Sequence, residues 1–216
     1  MNYLTRRHFV QGATLWIATS ACSETKNTAP PAAAPTDATP PGTAADKPCA
    51  VTEASIEGPY YRDGAPARSD LADPGMPGTH IVLAGRVLAE DCKTPIEGAV
   101  LDLWQADSSG RYDNDGHAPL DPATYLLRGK LAAQPDGRYA TRTVIPGQYL
   151  NGSQYRPAHI HVKVSAPGFR TITTQLYFEG DPYNGIDPFI HASLIMPIRN
   201  ANGVKTCPFD FSLQRA

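Results

Sequence analysis

The sequence predicts an all-β protein, an antiparallel β-sandwich whose long loops carry its chemistry. Three observations lead there. Short runs with the two-residue apolar period of strands recur from residue 80 onward. Gly- and Pro-containing turn sequences separate these runs. Only residues 192–196 hint at a helix, and weakly.

Taken in order, residues 80–88 alternate through Ile81, Leu83 and then Val87. Residues 99–104 form a second strand, in which Val100 and Trp104 share one face with Asp102 between them. Trp104 reads as a core residue. Residues 124–132, 138–144, 159–165 and 170–179 continue the pattern. Gln134-Pro135-Asp136-Gly137 and Ala166-Pro167-Gly168-Phe169 supply turns between them. Many short strands with such turns favour two packed antiparallel sheets. The chain has 216 residues, of which 41% are hydrophobic and 19% charged, enough for one core. A net charge of -2 argues against a nucleic-acid binder, which would show a basic face.

The N-terminus reads as an address. Residues 1–22 begin with the twin-arginine pattern Thr5-Arg6-Arg7-His8-Phe9-Val10, followed by an uncharged run from Gly12 to Ala18. That run is too short to span a bilayer, and the order of regions resembles a Tat export signal. Thr19-Ser20-Ala21-Cys22 resembles a lipoprotein processing box, although threonine stands where leucine is usual. The expectation is an exported protein, periplasmic or anchored to a membrane through a lipid on Cys22. Residues 23–47 hold Pro30, Pro31, Pro35, Pro40 and Pro41 among Ala and Thr, with almost no large apolar side chains. Such a tract is a tether. Residues 48–216 form the folded domain. Cys49, Cys92 and Cys207 lie in it, which predicts one disulfide and one leftover thiol, with three pairings open.

The chemistry concentrates in Arg156-Pro157-Ala158-His159-Ile160-His161-Val162, with Tyr149 ten residues before His159. In a strand, His159 and His161 project from one face about 6.5–7 Å apart along the chain. That spacing lets both imidazoles reach one metal ion. With Tyr112 and Tyr149 the candidate set is two phenolates and two imidazoles. Its charge of about −2 suits a hard trivalent cation, so Fe(III) fits better than zinc.

Six motifs in order resemble the intradiol ring-cleavage dioxygenases. They are Glu57-Gly58-Pro59-Tyr60-Tyr61, the run from Leu101 to Asp107, Gly110-Arg111-Tyr112, Gly147-Gln148-Tyr149, Arg156 to His161, and Thr174 to Asp181. The branch that looks closest is that of protocatechuate 3,4-dioxygenase, since only signal and linker precede Cys49. The resemblance implies a prealbumin-like sandwich and a non-haem Fe(III) held by Tyr112, Tyr149, His159 and His161. Tyr112 and His159 would be equatorial, Tyr149 and His161 axial. It implies a catecholic substrate bound as a dianion, with Tyr149 leaving the metal and taking one proton. Dioxygen then opens the ring to a cis,cis-muconate-type diacid. Arg156 and Gln175 are implied to stabilise the reacting substrate, and Tyr60 to contact it. The loop 150–155 departs from the aromatic stretch of protocatechuate enzymes, so substrate choice is assigned there. Relatives often build one site from two chains, whereas this chain carries all four ligand positions; a homo-oligomer is compatible.

Plainer readings stand beside these. Arg156 could pair with a carboxylate such as Glu179, Gln175 could be a satisfied core amide, and Tyr60 could be packing. His80, His117 and His191 have no partner pattern and read as structural or solvated. At the level of function, the alternatives are a transthyretin-like binding module without turnover and a metal-scavenging exported lipoprotein.

Overall fold

Strands dominate the regular structure of the computed structural model, which describes residues 49–216. Their order is β1 (His80–Ala89), β2 (Val100–Gln105), β3 (Arg128–Ala132), β4 (Arg138–Val144), β5 (Tyr149–Asn151), β6 (Gln154–Arg156), β7 (His159–Ser165) and β8 (Ile172–Phe178). A 3₁₀ turn (Ala192–Leu194), β9 (Ile195–Met196), β10 (Arg199–Ala201), β11 (Val204–Pro208) and β12 (Phe211–Leu213) follow. The export signal, the Cys22 box and the tether expected over residues 1–47 lie outside the described residues.

Two five-stranded sheets result. In the first, β1 pairs antiparallel with β4 along one edge. Its other edge takes β11 and then β12, both parallel, and β10 extends it beyond β11. The second sheet runs β3-β2-β7-β8-β9. Its first four strands are antiparallel, while β9 lies parallel to β8. The expected purely antiparallel sandwich is thus corrected to mixed sheets. The physical reason is the C-terminal segment. It returns over long connections, not hairpins, and only hairpins oblige neighbours to be antiparallel.

One apolar core joins the sheets. Leu83, Val87 and Phe211 come from the first, and Leu101, Leu103, Ile160, Val162 and Leu176 from the second. On β7 the residues alternate: Ile160, Val162 and Val164 enter this core, while His159, His161 and Lys163 leave from the opposite face. The same period puts Trp104 of β2 and Gln175 of β8 on that opposite face, each in register with His161.

Other details differ from expectation for local reasons. The run from residue 124 becomes a strand only at Arg128, because Leu127 takes a left-handed φ of 53°. The hint at 192–196 resolves into the 3₁₀ turn and β9. Segment 150–155, read as a loop, is mostly a hairpin: β5 and β6 pair Tyr149 with Arg156 and Leu150 with Tyr155.

Of the three possible disulfides, Cys49–Cys92 forms. Cys207 stays free within the core, where burial pushes its thiol up to about 12. From Cys49 the chain runs along β8 as an arm. Ser55 N–H donates to the Thr173 carbonyl (2.9 Å), Thr174 Oγ1 to the Glu53 carbonyl (2.8 Å) and Gln175 Nε2 to the Ile56 carbonyl (2.8 Å). The arm delivers Tyr60 and Tyr61 to the second sheet's outer face.

Candidate metal centre

One loop and two strands, β5 and β7, bring the four proposed ligands together. Tyr112 sits on the loop after β2. Asp107 Oδ1 shapes that loop by accepting from the N–H groups of Ser109 (2.8 Å) and Arg111 (3.0 Å). The loop is held down by Asp113, whose carboxylate binds Arg128 (2.8 Å to Nε) and Arg62 (2.6 Å). The glycines of the two Gly-x-Tyr motifs let their backbones touch. A Cβ on Gly110 would lie 2.4 Å from the Gln148 carbonyl oxygen, and one on Gly147 would lie 2.5 Å from the Gly110 nitrogen. Gly147 N–H closes the contact on the Asp107 carbonyl (2.8 Å). The tyrosine two residues after each glycine therefore arrives at the same place.

The rings form a closed circuit. Centroid distances are 5.7 Å for Tyr112–Tyr149, 5.6 Å for Tyr149–His159, 4.8 Å for His159–His161 and 6.3 Å for His161–Tyr112. His159 Nε2 and His161 Nδ1 are buried without a hydrogen-bond partner, and Tyr112 Oη has only the Tyr149 side chain beside it. Orphaned buried polar atoms are costly and call for an explanation. His159 supplies one, because its Nδ1 lies 2.7 Å from the Pro157 carbonyl oxygen. A carbonyl only accepts, so Nδ1 carries the proton and Nε2 presents a bare lone pair. Burial, then the Arg156 charge, lowers the His159 pKa to about 4. Burial, then His159, holds His161 well below its ordinary range. Both imidazoles are neutral and able to ligate at neutral pH.

The phenols respond in the opposite sense. Burial, then the neighbouring Tyr149 ring, pushes Tyr112 well above the ordinary phenol range. Burial raises Tyr149 too, opposed by Arg156. Neither is an anion without a cation beside it. Two buried phenols that need a cation, next to two neutral imidazoles, fit a hard, highly charged metal such as ferric iron. Among the described residues, no group of three or more His, Cys, Asp or Glu side chains offers another metal site.

Arg156 stands at the edge of this circuit, opposite Tyr149 in the hairpin. It is 5% exposed. Its partner is Asp187, through a short Nε–carboxylate pair, and not Glu179. Nη2 donates to Gln175 Oε1 (2.7 Å), and the guanidinium lies 5.0 Å over the Phe189 ring. Gln175 is fully buried and also accepts from Tyr177 (2.8 Å). It brackets Arg156 while its amide N–H anchors the arm at Ile56. Tyr60 stacks on Tyr112 (4.3 Å, 16°) and meets Tyr149 edge-on (6.1 Å).

Three contributors escaped the sequence reading. Asp187 lies 31 residues from Arg156 in a Pro- and Gly-rich stretch, with no local signal. Tyr177 lies within the Thr174–Asp181 motif but was given no role. Trp104 is a core residue as expected, but of a second, smaller core cluster with Ala106 and Tyr112 beside the site. Its period-2 relation to Asp102 was the available clue. Among the described residues, the remaining histidines have other partners: His80 contacts the Met76 carbonyl (2.8 Å), His117 pairs with Asp115 (2.9 Å) and His191 with Glu53 (3.3 Å).

Comparison with known proteins gives concordant matches. A family model described as "Dioxygenase" matches residues 56–214. Chlorocatechol 1,2-dioxygenase of Rhodococcus opacus is 34% identical over 171 residues, covering 68% of this chain and 65% of that protein. The protocatechuate 3,4-dioxygenase beta chain of Burkholderia cepacia is 39% identical over 123 residues, covering 54% of this chain and 52% of that one. Among solved structures, the dioxygenase domain of a dioxygenase carbohydrate-binding protein fusion from Streptomyces sp. SirexAA-E matches with TM-score 0.67 and 37% identity. That match covers 77% of this chain and 99% of that domain. The chain spans about two thirds of the length of the first of these curated relatives.

Proposed function

The chain belongs to the intradiol ring-cleavage dioxygenases, and on that premise we propose that it opens a catecholic ring between its two hydroxyls with O2. Both oxygen atoms enter the product, so the catechol becomes a cis,cis-muconate-type diacid that has gained both oxygens and lost no hydrogen. The observation that carries this reading is the closed circuit of two phenols and two neutral imidazoles, with orphaned buried donor atoms, beside a locked arginine. The mixed two-sheet architecture is read as prealbumin-like.

Tyr112, Tyr149, His159 and His161 would hold Fe(III), which when bound supplies a Lewis acid that makes the catechol susceptible to O2. The chain's own groups do the rest. Tyr149 acts as a base: the burial that raises its phenol pKa makes its phenolate a strong acceptor for a catechol proton. Arg156 faces Tyr149 with Nε and Nη2 already committed, which leaves Nη1 as the remaining donor edge toward developing negative charge. Gln175, Tyr177 and Asp187 hold that guanidinium without reorganisation during reaction. Tyr60, stacked on Tyr112, forms an aromatic wall for the substrate ring. The protein is exported through its twin-arginine signal, and Cys22 is its lipid attachment point. The Cys49–Cys92 disulfide supports this reading, since such bonds persist in oxidising compartments.

The test is oxygen uptake by iron-loaded protein against catechol, protocatechuate, hydroxyquinol and a chlorocatechol, with product masses. Uptake with at least one, and a product heavier by one O2, is expected. Tight binding without uptake across the panel would favour the binding-module reading. A visible phenolate-to-iron band should also shift in Tyr112→Phe and Tyr149→Phe.

A further inference from the structure

The two histidines are held by different devices. His159 is fixed through Nδ1 by the Pro157 carbonyl. His161 has no such bond: its Nδ1 is buried without a partner. Its ring lies instead against the Trp104 indole, with centroids 4.8 Å apart and planes 8° from parallel. The two residues are direct cross-strand partners on β2 and β7. Trp104 is 1% exposed, and its Nε1–H finds no acceptor. The indole's polar edge is therefore unused, and its face makes the contact.

Trp104 is itself backed. Tyr61 meets it edge-on at 4.9 Å, and the Tyr61 hydroxyl donates to Asp102 Oδ2 at 3.0 Å. Asp102 sits two residues before Trp104 on the same face of β2, and Lys130 pairs with it at 3.3 Å. Lys163 Nζ lies over the Tyr61 ring, 3.8 Å from its centroid. Elsewhere around His161, Gly58 of the arm is the neighbour: a Cβ there would just reach van der Waals contact, 3.4 Å from His161 Cε1. The indole face is thus the close planar contact of the imidazole.

We propose that Trp104, braced by Tyr61 and Asp102, is a positioning residue that sets the ring plane of His161. For this imidazole it takes the place that the Pro157 hydrogen bond holds for His159. The inference rests on His161 being a metal ligand, but its primary test needs no metal. In metal-free protein with labelled histidine, NMR reads the ring protons of both residues. In the wild type, the His161 protons are displaced upfield by the indole ring current and give one sharp set. Trp104→Leu is expected to lose that displacement and broaden the His161 signals, with His159 unchanged. Trp104→Phe, which keeps a stacking face, restores sharp signals. Tyr61→Phe, which only frees the brace from Asp102, broadens them partially. In ferric protein, the rate of iron loss to a chelator should rise about 10-fold in Trp104→Leu, the low end for changes behind a ligand. It should return toward wild type in Trp104→Phe. A folded Trp104→Leu protein with sharp His161 signals and unchanged iron loss overturns the proposal. If that variant does not fold, unaltered His161 signals and iron loss in Tyr61→Phe overturn it. A wild type without a phenolate-to-iron band would instead sink the metal reading, while the metal-free spectra still decide the positioning.

Discussion

The two faces of β7 contrast residue by residue. Ile160, Val162 and Val164 point into the shared core, where each is fully buried among apolar neighbours. His159 and His161, one position away, are equally buried, yet both retain a polar atom without a partner. Burial is the same on both faces; satisfaction differs. The inner face stabilises by removing apolar surface from water. The outer face spends stability to hold bare donor atoms, neutral imidazoles and a locked guanidinium in place. Groups arranged against their own stability mark a functional site.

Four perturbations probe this contrast, in descending expected size. Asp187→Ala leaves Arg156 buried and unpaired, which costs about 3–5 kcal/mol. Urea unfolding measures the loss, and oxygen uptake should fall with it because the guanidinium is no longer fixed. Leu103→Ala on the inner face costs about 2–5 kcal/mol by leaving a cavity. The visible band of iron-loaded protein should stay where it is, and a shifted band would mean that the faces are coupled.

Acid provides the third probe, on metal-free protein. Between its ordinary 6.5 and about 4, an unfolded His159 binds a proton that the folded one rejects. Its contribution is therefore intact above about pH 6.5 and is lost as pH falls toward about 4. At 1.36 kcal/mol per pH unit this reaches about 3 kcal/mol. Urea midpoints against pH should be flatter over that window in His159→Gln, and an unchanged slope would contradict the burial argument. The smallest effect belongs to a solvated pair remote from both faces. Arg142→Ala breaks an ion pair with Asp70 whose side chains are 57% and 50% exposed. The midpoint should move by less than about 1 kcal/mol, and salt should not rescue it.

How much of this was legible in the sequence depends on how far apart the interacting residues lie. The His-x-His spacing on a strand placed both imidazoles on one face, because strand geometry alone dictates it. The Gly-x-Tyr motifs marked both tyrosines, although why glycine precedes each became clear only from the backbone contact between the loops. The strand at 138–144 was legible to the residue, since its apolar period and bounding turn are local. The parallel pairing of β11 and β12 with β1 was not, because their partner lies more than a hundred residues earlier and no local period encodes strand direction. Segment 150–155 looked like a loop because its strands are only three residues each.

The sequence by itself determined the all-β class and put two histidines on one strand face, and it offered two tyrosines as their companions. Those follow from residue identity and two-residue periodicity, which act over a few positions. Only the tertiary structure decided that Arg156 pairs with Asp187, that Cys49 joins Cys92, and that Trp104 lies flat against His161. Each of these joins residues brought together by sheet register and chain return. Register depends on the packing of the whole core, so no short stretch of sequence contains it.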